Sequence, residues 1–430
     1  MLSAVVRKAV PRQLARYWLP VQWALACLWR RLLFRTTFIA VTGSVGKTTT
    51  KECIAAILSA RFATAKTLRN HNDRYGVPRT ILRVRPWHRY AVLEVATDEP
   101  GRMRRLAGLV RPHVAVMLTV QRTHTAAFAS IEETAAEKTE MIRHVSPRGV
   151  AILNADDARV LGMAVACRGR VRTFGRSPGR DVWADDISST WPSRLSLTVH
   201  AGAETRRLGT NLVGLHWVNA VLASLAVALE CGITLHDAAG ALERVTPFAA
   251  RMQPVRLPGG AIVIRDEYNS SPPTLGAALG AFETFAARRR VLVISGFSDS
   301  PQSSRARMKE LGTIAARIAG LVVFINREHG RVGVKAAIEA GMRADCAVHF
   351  SDLQEAARYL GGELREGDLV LLKGRTTDHL SRVFFAQFGP IGCWKTVCHK
   401  TINCDFCDEL RPAFPMSTVE EAAARALHVV

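Results

Sequence analysis

The chain has 430 residues, of which 48% are hydrophobic and 22% charged, and this composition excludes wholesale disorder and leaves room for about two to four domains. An excess of 58 Lys and Arg over 37 Asp and Glu gives a net charge of +21, which indicates an anionic partner. No apolar run reaches the roughly 18 residues that a membrane-spanning helix needs. Four of the nine cysteines cluster between Cys393 and Cys407, unlike the spread of a disulfide scaffold, which favours a reducing, cytoplasmic compartment.

Residues 1–37 form a basic segment with seven Arg or Lys side chains and no acidic one. Trp18, Trp23 and Trp29 lie between its basic clusters. This pattern is typical of a helix in a membrane interface, where Trp occupies the headgroup level and Arg contacts anionic lipid. A helix docked on the protein by its Trp and Leu side chains is an equal alternative. A signal peptide is a weaker one, because no cleavage site of small residues follows.

From residue 38 onward, short β-branched runs alternate with helical stretches. The predicted strands are 38–41, 90–95, 114–119 and 150–153, followed by 261–264, 291–294, 321–325 and 369–372. Such alternation predicts an α/β fold in which helices cover both faces of doubly wound parallel sheets. Segment 168–210 is rich in Arg, Ser, Thr and Gly and predicts hairpins or irregular structure. We expect a basic N-terminal segment, two domains and a Cys-rich tail, with bounds 1–37, 38–250, 251–388 and 389–430.

A phosphate-binding loop is predicted where the first strand meets a helix. Its residues are Gly43, Ser44, Val45, Gly46, Lys47, Thr48 and Thr49. The two glycines let backbone N–H groups turn inward around a phosphate, and the helix N-terminus adds partial positive charge. Lys47 is suited to phosphate oxygens and the Thr48 hydroxyl to Mg²⁺, so ATP and Mg²⁺ are the expected cofactors.

Further motifs follow this loop in a fixed order. They are NHNDRYGVP (70–78), EVA (94–96), KTE (138–140), NADD (154–157), GLHWVN (214–219), Arg251, DEYNSSP (266–272) and KGR (373–375). Together with the short loop TGSVGKTTTKE, they resemble the Mur ligase family of ATP-dependent amide ligases over residues 38–385. The likeness is closest to the branch that adds D-alanyl-D-alanine in cell-wall peptide synthesis. It implies a central ATP-binding domain and a Rossmann-like C-terminal ligase domain.

The resemblance also implies a reaction and a set of catalytic residues. ATP would phosphorylate a carboxylate, and an amine (an amino acid or dipeptide) would attack the acyl phosphate. Lys47 would neutralise the phosphates, and Glu94 would join Thr48 on Mg²⁺. His124 would hold a second metal ion, and Lys138 would be carbamylated to bridge the metals. Ion pairing on a solvated helix face is the alternative role for Lys138.

The remaining implied roles concern the nucleotide and the substrates. His216 and Asn219 would contact the adenine or ribose, and Arg251 would contact the γ-phosphate. Asp266 and Asn269 would face the nucleotide. The residues implied to bind the substrates are Asn70, Asn72, Lys373 and Arg375. Trp217 stands where the family has Asn, so the adenine contact is expected to differ. The two domains are expected to close over ATP, bringing Arg251 to the phosphates.

Both ends of the chain depart from the family pattern. Only 37 residues precede the ATP domain, too few for the family's UDP-sugar domain. We therefore expect that the carboxylate substrate can differ from the family's, and a lipid-linked carboxylate is one candidate. In the tail, Cys393, Cys398, Cys404 and Cys407 have a spacing compatible with Zn²⁺. Redox-active thiols and unliganded cysteines are the alternatives.

Three classes of function therefore stay open. The first is an amide ligase, either of cell-wall peptides or of a polyglutamate, peptide-tailoring or amidating type. The second is a nucleic-acid-dependent ATPase, although no nucleic-acid-binding signature accompanies the charge and no specific nucleic acid is expected as a partner. The third is an inactive scaffold.

Overall fold

A computed structural model describes residues 12–122, 127–400 and 402–427. The chain divides into two compact units, each with its own sheet. The first unit runs to Asp186 and also takes in Leu197–Leu208 and Trp217–Val245. The second comprises Ile187–Ser196, Gly209–His216 and the chain from Thr246 onward.

The first sheet has nine strands in the order β2-β3-β1-β4-β5-β6-β7-β8-β9. Its strands are β1 (Thr37–Thr42), β2 (Thr64–Lys66), β3 (Tyr90–Glu94), β4 (Val114–Met117), β5 (Val150–Asn154), β6 (Arg170–Gly175), β7 (Val182–Ser188), β8 (Ser196–Ala201) and β9 (Glu204–Gly209). The pairs from β2 through β7 are parallel, with Val41 opposite Glu94 in the β1–β3 register. The carboxyl ends of β1, β3 and β4 therefore meet at one edge, as the sequence predicts.

The helices of this unit alternate with its strands or flank them in the chain. They are α1 (Arg12–Leu32), α2 (Lys47–Ser59), α3 (Gly76–Arg83), α4 (Arg102–Val110), α5 (Ile131–Arg143), α6 (Ala158–Gly162), α7 (Val218–Glu230) and α8 (Leu235–Glu243). Strands β1, β3, β4 and β5 are almost wholly buried, which agrees with their continuous apolar runs. Segment 168–210, predicted as hairpins or irregular structure, supplies strands β6 to β9.

The second unit contains a six-stranded sheet in the order β10-β11-β15-β12-β13-β14, parallel except for the β10–β11 pair. Its strands are β10 (Gln253–Arg256), β11 (Ile262–Asp266), β12 (Arg289–Ile294), β13 (Leu321–Ile325), β14 (Ala347–Phe350) and β15 (Asp368–Lys373). Its helices are α9 (Pro272–Thr284), α10 (Ser304–Ile318), α11 (Gly330–Glu339), α12 (Leu353–Glu363), α13 (Ser381–Phe385) and α14 (Met416–Leu427). The predicted α/β class with parallel sheets is confirmed.

The tail beyond residue 388 packs into the core of the second unit. Cys404, Leu410 and Val419 are buried in the same apolar cluster as β12 and β15. Asp405 forms a buried ion pair with Arg265 at 2.8 Å, and the same guanidinium also contacts Glu267. A buried charge pair is costly to break, so this pair holds the tail on the second unit.

Helix α1 docks on the first unit by one face. Ala26 and Leu33 are buried, and the indole N–H groups of Trp23 and Trp29 donate to the carbonyls of Arg74 and Val84. The docked-helix alternative therefore describes this face. Within the described residues, no helix combines the length and apolarity needed to cross a membrane.

Arg30 makes the strongest polar contact of this docked face. Its Nε and Nη2 donate to the carbonyls of Val110 and Arg111 at 2.7 Å, at the C-terminal end of α4, where helix carbonyls lack intrahelical partners. The guanidinium lies 3.8 Å from the centre of the Phe38 ring. Burial, with the nearby Arg111, lowers the pKa of Arg30 to about 10, so it stays charged at neutral pH.

We expect Arg30→Ala to lower the free energy of unfolding by about 1.5–3 kcal/mol, because it removes two buried charge-assisted hydrogen bonds. The matched control is Arg31→Ala, whose side chain is exposed on the same turn, and it should change stability little. Urea unfolding of both variants measures the difference. Equal effects would show that the contacts of Arg30 do not hold α1 in place.

Candidate nucleotide and metal site

The loop between β1 and α2 adopts a conformation that depends on glycine. Gly43 and Gly46 have φ angles of 144° and 82°, which side-chain-bearing residues rarely adopt. A Cβ added to Gly43 would lie 2.9 Å from Leu118 Cβ and 3.1 Å from the Thr119 nitrogen. The loop therefore lies against the end of β4, and any other residue at position 43 would displace it.

Ser44 fixes this loop to the chain that follows β4. Its N–H donates to the Thr119 carbonyl at 2.8 Å, and its hydroxyl donates to the Gln121 carbonyl and accepts from the Gln121 N–H. Both groups of Ser44 are thereby used for structure. The phosphate-binding role of Ser44 stays a prediction.

Two lysines approach the same carbonyl of the loop. Lys47 Nζ donates to the carbonyls of Gly43 and Ser44, and Lys138 Nζ lies 3.3 Å from the Gly43 oxygen. Lys138 is 3% exposed, so the alternative of a solvated ion pair on the helix surface is wrong. Burial, followed by the Lys47 charge, lowers the pKa of Lys138 to about 7. A substantial share of its amine is therefore neutral at physiological pH.

Glu94 lies beside the loop at the end of β3. Its Oε1 accepts from the Thr48 hydroxyl at 3.1 Å and from the Asn72 amide at 2.7 Å. Its Oε2 is buried, lies 4.0 Å from Lys51 Nζ, and has no hydrogen-bond partner among the described residues. A buried carboxylate oxygen left in this state is costly unless a cation binds it. The oxygens of Thr48 and Glu94 are thus suited to a Mg²⁺ ion.

His124, predicted to hold a second metal ion, lies outside the described residues. Over the residues that are described, no group of three or more His, Cys, Asp or Glu side chains is placed to bind a metal. Of the described residues predicted to bind Mg²⁺, only Glu94 is one of these four residue types, since the others are Thr48 and Lys138. The metal-binding roles of these residues stay predictions.

Two contacts at this site were not anticipated from the sequence. The Asn72 amide donates to Glu94 and so orients the carboxylate, while its substrate role stays a prediction. Lys51 is fully buried and donates to the carbonyls of Thr67 and Arg69, which fixes the chain leading to Asn72. The motif TTTKE carries Lys51, but a lysine in a helix reads as exposed unless its distant carbonyl partners are known.

In the first unit, the side-chain oxygen of Asn219 is buried, whereas the Asn70 side chain is exposed. Asn219 lies in the first turn of α7, and its buried Oδ1 lacks a hydrogen-bond partner within the described part of the chain. Such an acceptor is suited to a donor on a bound ligand, in keeping with the predicted adenine contact. Asn70 is exposed, and its substrate role stays a prediction.

In the second unit, the ends of β11 and β15 are joined by an ion pair. Lys373 Nζ lies 2.6 Å from Asp266 Oδ2 and 2.8 Å from the Asn269 carbonyl, while the Met252 N–H donates to Asp266 Oδ1. Lys373 is buried. Two of the three N–H donors of Lys373 are thus used within the protein, and its predicted contact with a substrate anion stays a prediction.

Arg251 and Arg375 flank this pair in the chain but have separate neighbours. The Arg251 guanidinium lies 4.1 Å from the centre of the Tyr268 ring. Arg375 pairs with Asp378 at 2.7 Å, and Asp378 also accepts from the Ser295 hydroxyl. His216 also belongs to this unit, and burial with the nearby Lys373 charge lowers its pKa to about 3.

Arg375 lines a cavity of about 440 Å³ at the carboxyl ends of β12 to β15. Its lining includes Arg307, Asn326, Asp352 and Trp394, so the Cys-rich tail forms part of the wall. This is the position at which parallel α/β sheets bind ligands. The mixture of cations and carboxylates is suited to a polar, zwitterionic molecule.

The predicted zinc site in the tail is not supported. Cys404 Sγ lies 3.5 Å from His379 Nδ1 and Cys407 Sγ 3.6 Å from Lys400 Nζ, while Cys393 and Cys398 are unpaired thiols. No metal-binding group forms among the described residues, which include all four cysteines. Asn403 and Asp405 hold the segment through Ser381 and Arg265, so its position does not require a metal.

Comparisons with known proteins cover both units. The model of the Mur ligase middle domain matches residues 41–228, and that of the Mur ligase glutamate ligase domain matches residues 250–376. The UDP-N-acetylmuramoyl-tripeptide–D-alanyl-D-alanine ligase of Mycobacterium tuberculosis (strain CDC 1551 / Oshkosh) is 32% identical over 376 residues, which cover 83% of this chain and 74% of that protein. The ligase of the same name from Bacillus subtilis (strain 168) is 27% identical, over 79% of this chain and 73% of its own length.

Solved structures agree with these matches. A crystal structure of MurF from Acinetobacter baumannii has a TM-score of 0.78 and 26% identity, covering 85% of this chain and 79% of its own. MurF from Thermotoga maritima in complex with ADP has a TM-score of 0.73 and 24% identity, covering 85% and 82% respectively, and shows the shared fold.

The lowered pKa of Lys138 predicts a pH-dependent stability. Between about pH 7 and pH 10 the unfolded chain keeps a proton on this lysine, whose ordinary pKa is 10.5, and the folded chain does not. The free energy of unfolding should therefore rise with pH in this window, by up to about 1.4 kcal/mol per pH unit. Lys138→Met, measured in CO₂-free buffer, should lose this contribution.

The matched control is Lys335→Met, because the Lys335 side chain is 79% exposed. Its free energy of unfolding should follow the wild-type pH dependence. If Lys138→Met also follows the wild type from about pH 7 to pH 10, the lysine keeps its ordinary pKa.

Proposed function

The chain belongs to the Mur ligase family, and from this premise we propose that it is a MurF-like, ATP-dependent ligase that joins a carboxylate to an amine. The products are an amide, ADP and phosphate. By the names of its relatives, the carboxylate is a UDP-N-acetylmuramoyl-tripeptide and the amine is D-alanyl-D-alanine, in cell-wall peptide synthesis. The unpaired state of all nine cysteines supports a reducing, cytoplasmic location.

One observation carries this proposal. The phosphate loop lies beside a buried carboxylate, Glu94, one oxygen of which has no hydrogen-bond partner in the described chain, while the other contacts the Thr48 hydroxyl. Backbone N–H groups at the start of α2 suit phosphate oxygens, and Glu94 with Thr48 suits the magnesium that accompanies them. The pair is therefore suited to a magnesium nucleotide.

The chemistry follows from what these residues can do. A carboxylate oxygen of the substrate forms a bond to the γ-phosphorus, and the bond from that phosphorus to ADP breaks. Charge spreads over the transferring group, so Lys47 and the α2 N-terminus stabilise it. The amine then attacks the acyl carbon, phosphate leaves, and the amine gives up a proton. Bound Mg²⁺, held by Thr48 and Glu94, would neutralise phosphate charge.

Lys138 has properties that suit carbamylation. The reaction with CO₂ requires a neutral amine, and the pKa of about 7 supplies one. The neutral amine forms an N–C bond to CO₂ and releases one proton, so the buried side chain becomes an anion. That change removes the repulsion between Lys138 and Lys47 at the Gly43 carbonyl.

The second unit would supply the amine site. We place the amine substrate in the cavity that Arg375 and Arg307 line, where a guanidinium can pair with its carboxylate. Lys373, Asp266 and Asn269 would shape the neighbouring loop rather than contact substrate directly. The nucleotide contacts of Arg251 and His216 stay predictions from the sequence.

The direct experiment measures ADP release by the full chain with ATP, Mg²⁺, UDP-N-acetylmuramoyl-tripeptide and D-alanyl-D-alanine, and identifies the product by mass. ADP release should require both the carboxylate and the amine. Glu94→Gln should reduce kcat/KM by about 10–100-fold or more, because it weakens the metal site. Glu99→Gln, an exposed carboxylate, is the matched control and should behave as the wild type.

ADP release that depends on added DNA or RNA would instead favour a nucleic-acid-dependent ATPase. Nucleotide binding without turnover on any amine and carboxylate would favour an inactive scaffold. Turnover with glutamate chains or ammonia, but not with the cell-wall substrates, would keep the ligase chemistry and change the substrate.

A further inference from the structure

Helix α1 has a second face that the first unit does not cover. Trp18, Val21, Leu25, Leu28 and Leu32 are 47–57% exposed, although each is a large apolar side chain. Their spacing of three and four residues places them along one stripe, on the side of the helix away from Trp23 and Arg30, which contact the first unit. A helix held on a protein by one face normally has polar residues on the other, so this stripe is unusual.

Two further large aromatic side chains are exposed on segments near the end of the helix. Phe34 is 77% exposed and Trp87, in the loop after α3, is 71% exposed. The two segments are tied together, because the Thr36 hydroxyl donates to the His88 carbonyl at 2.8 Å and the Thr37 N–H donates to Arg89. The stripe and these two rings form what we call the α1 apolar surface.

Basic side chains accompany this surface. Arg31 and Arg35 are exposed at the C-terminal end of α1, and Arg85 and Arg89 are exposed on the loop that carries Trp87. Neither chain segment that builds the surface contains an acid, since residues 1–51 and 74–93 have no Asp or Glu. The surface therefore combines exposed apolar groups with positive charge of a single sign.

We propose that the α1 apolar surface binds the surface of an anionic lipid bilayer. An interfacial helix needs apolar side chains that enter the acyl boundary, Trp at the headgroup level and cations that meet lipid phosphates, and this surface has all three. Binding would be peripheral, since α1 keeps its other face on the protein. This inference is independent of the proposed ligase activity.

Charge favours a bilayer over a second copy of the chain. Two copies joined through α1 would bring Arg31 and Arg35 of each near the same residues of the other, or near the equally basic loop at Arg85. No acid on these segments could offset that repulsion. An anionic bilayer supplies both the apolar phase and the opposite charge. Self-association is therefore the alternative that the test must detect.

The proposal is tested by flotation of the full chain with vesicles of phosphatidylcholine alone or phosphatidylcholine with phosphatidylglycerol. The wild type should float with the anionic vesicles, less so at high salt, and only weakly with the neutral ones. Leu25→Glu with Leu28→Glu should weaken binding by about tenfold or more, since it places two charges in the apolar stripe. Arg31→Gln with Arg35→Gln should weaken only the anionic component.

The matched control is Val165→Glu with Ile338→Glu, which makes the same chemical change at exposed apolar residues away from α1. It should bind vesicles as the wild type does. Thermal unfolding must show that all variants are folded. ATP affinity should be unchanged in each of them, because none of the substitutions is at the phosphate loop.

Three results would overturn the proposal. One is wild-type protein that stays with the bulk solution in the presence of anionic vesicles. Another is equal binding by the Leu25→Glu, Leu28→Glu variant and the control, which would assign binding to the overall charge of +21. The third is a dimer of the wild type, dispersed by the leucine substitutions, together with no vesicle binding.

Discussion

The close approach of Gly43 to the end of β4 is the constraint on which the site depends. With no Cβ, Gly43 lets the loop lie against Leu118 and Thr119, and Ser44 then locks it there by hydrogen bonds. This contact directs the start of α2 to the sheet edge at which β3 ends. Thr48 consequently meets Glu94, although the two are separated by 46 positions in the chain.

The electrostatics of this edge are arranged around the same loop. Three lysines, Lys47, Lys51 and Lys138, donate to backbone carbonyls, whose partial charges reduce the cost of removing an ammonium from water. Lys51 lies 2.7 Å from Glu52 and 4.0 Å from Glu94, so two carboxylates supply negative charge beside it. A magnesium nucleotide would bring anionic phosphates to the lysines and a divalent cation to Glu94. It therefore matches these charges better than a phosphate or a metal ion alone would.

The sequence predicts those parts of the fold and site that local patterns encode. The strand series, the loop from Gly43 to Thr49 and the position of Glu94 follow from apolar runs and from glycine, lysine and threonine at fixed spacing. The Asn72–Glu94 contact and the Arg265–Asp405 pair could not be predicted, because they join residues that are distant in the chain. The zinc interpretation is not supported, and the Asp405 ion pair that fixes the tail could likewise not be read from the cysteine spacing.

The two faces of α1 illustrate the same limit. Composition shows an apolar and basic segment, and periodicity shows a stripe, but which stripe is buried depends on the carbonyls of Val84, Val110 and Arg111. Only the folded protein reveals that one apolar face is covered and the other is left open. The membrane and docking interpretations of this helix are therefore compatible.

The most direct test of the central claim is the anomalous scattering of Mn²⁺ in crystals grown with a non-hydrolysable ATP analogue. Mn²⁺ takes oxygen ligands as Mg²⁺ does and can be located by its own signal. We predict a manganese peak bonded to Glu94 Oε2 and the Thr48 hydroxyl, with the nucleotide phosphates on the backbone of residues 43–48. A nucleotide bound elsewhere, or a metal that leaves Glu94 without a ligand, would contradict the account.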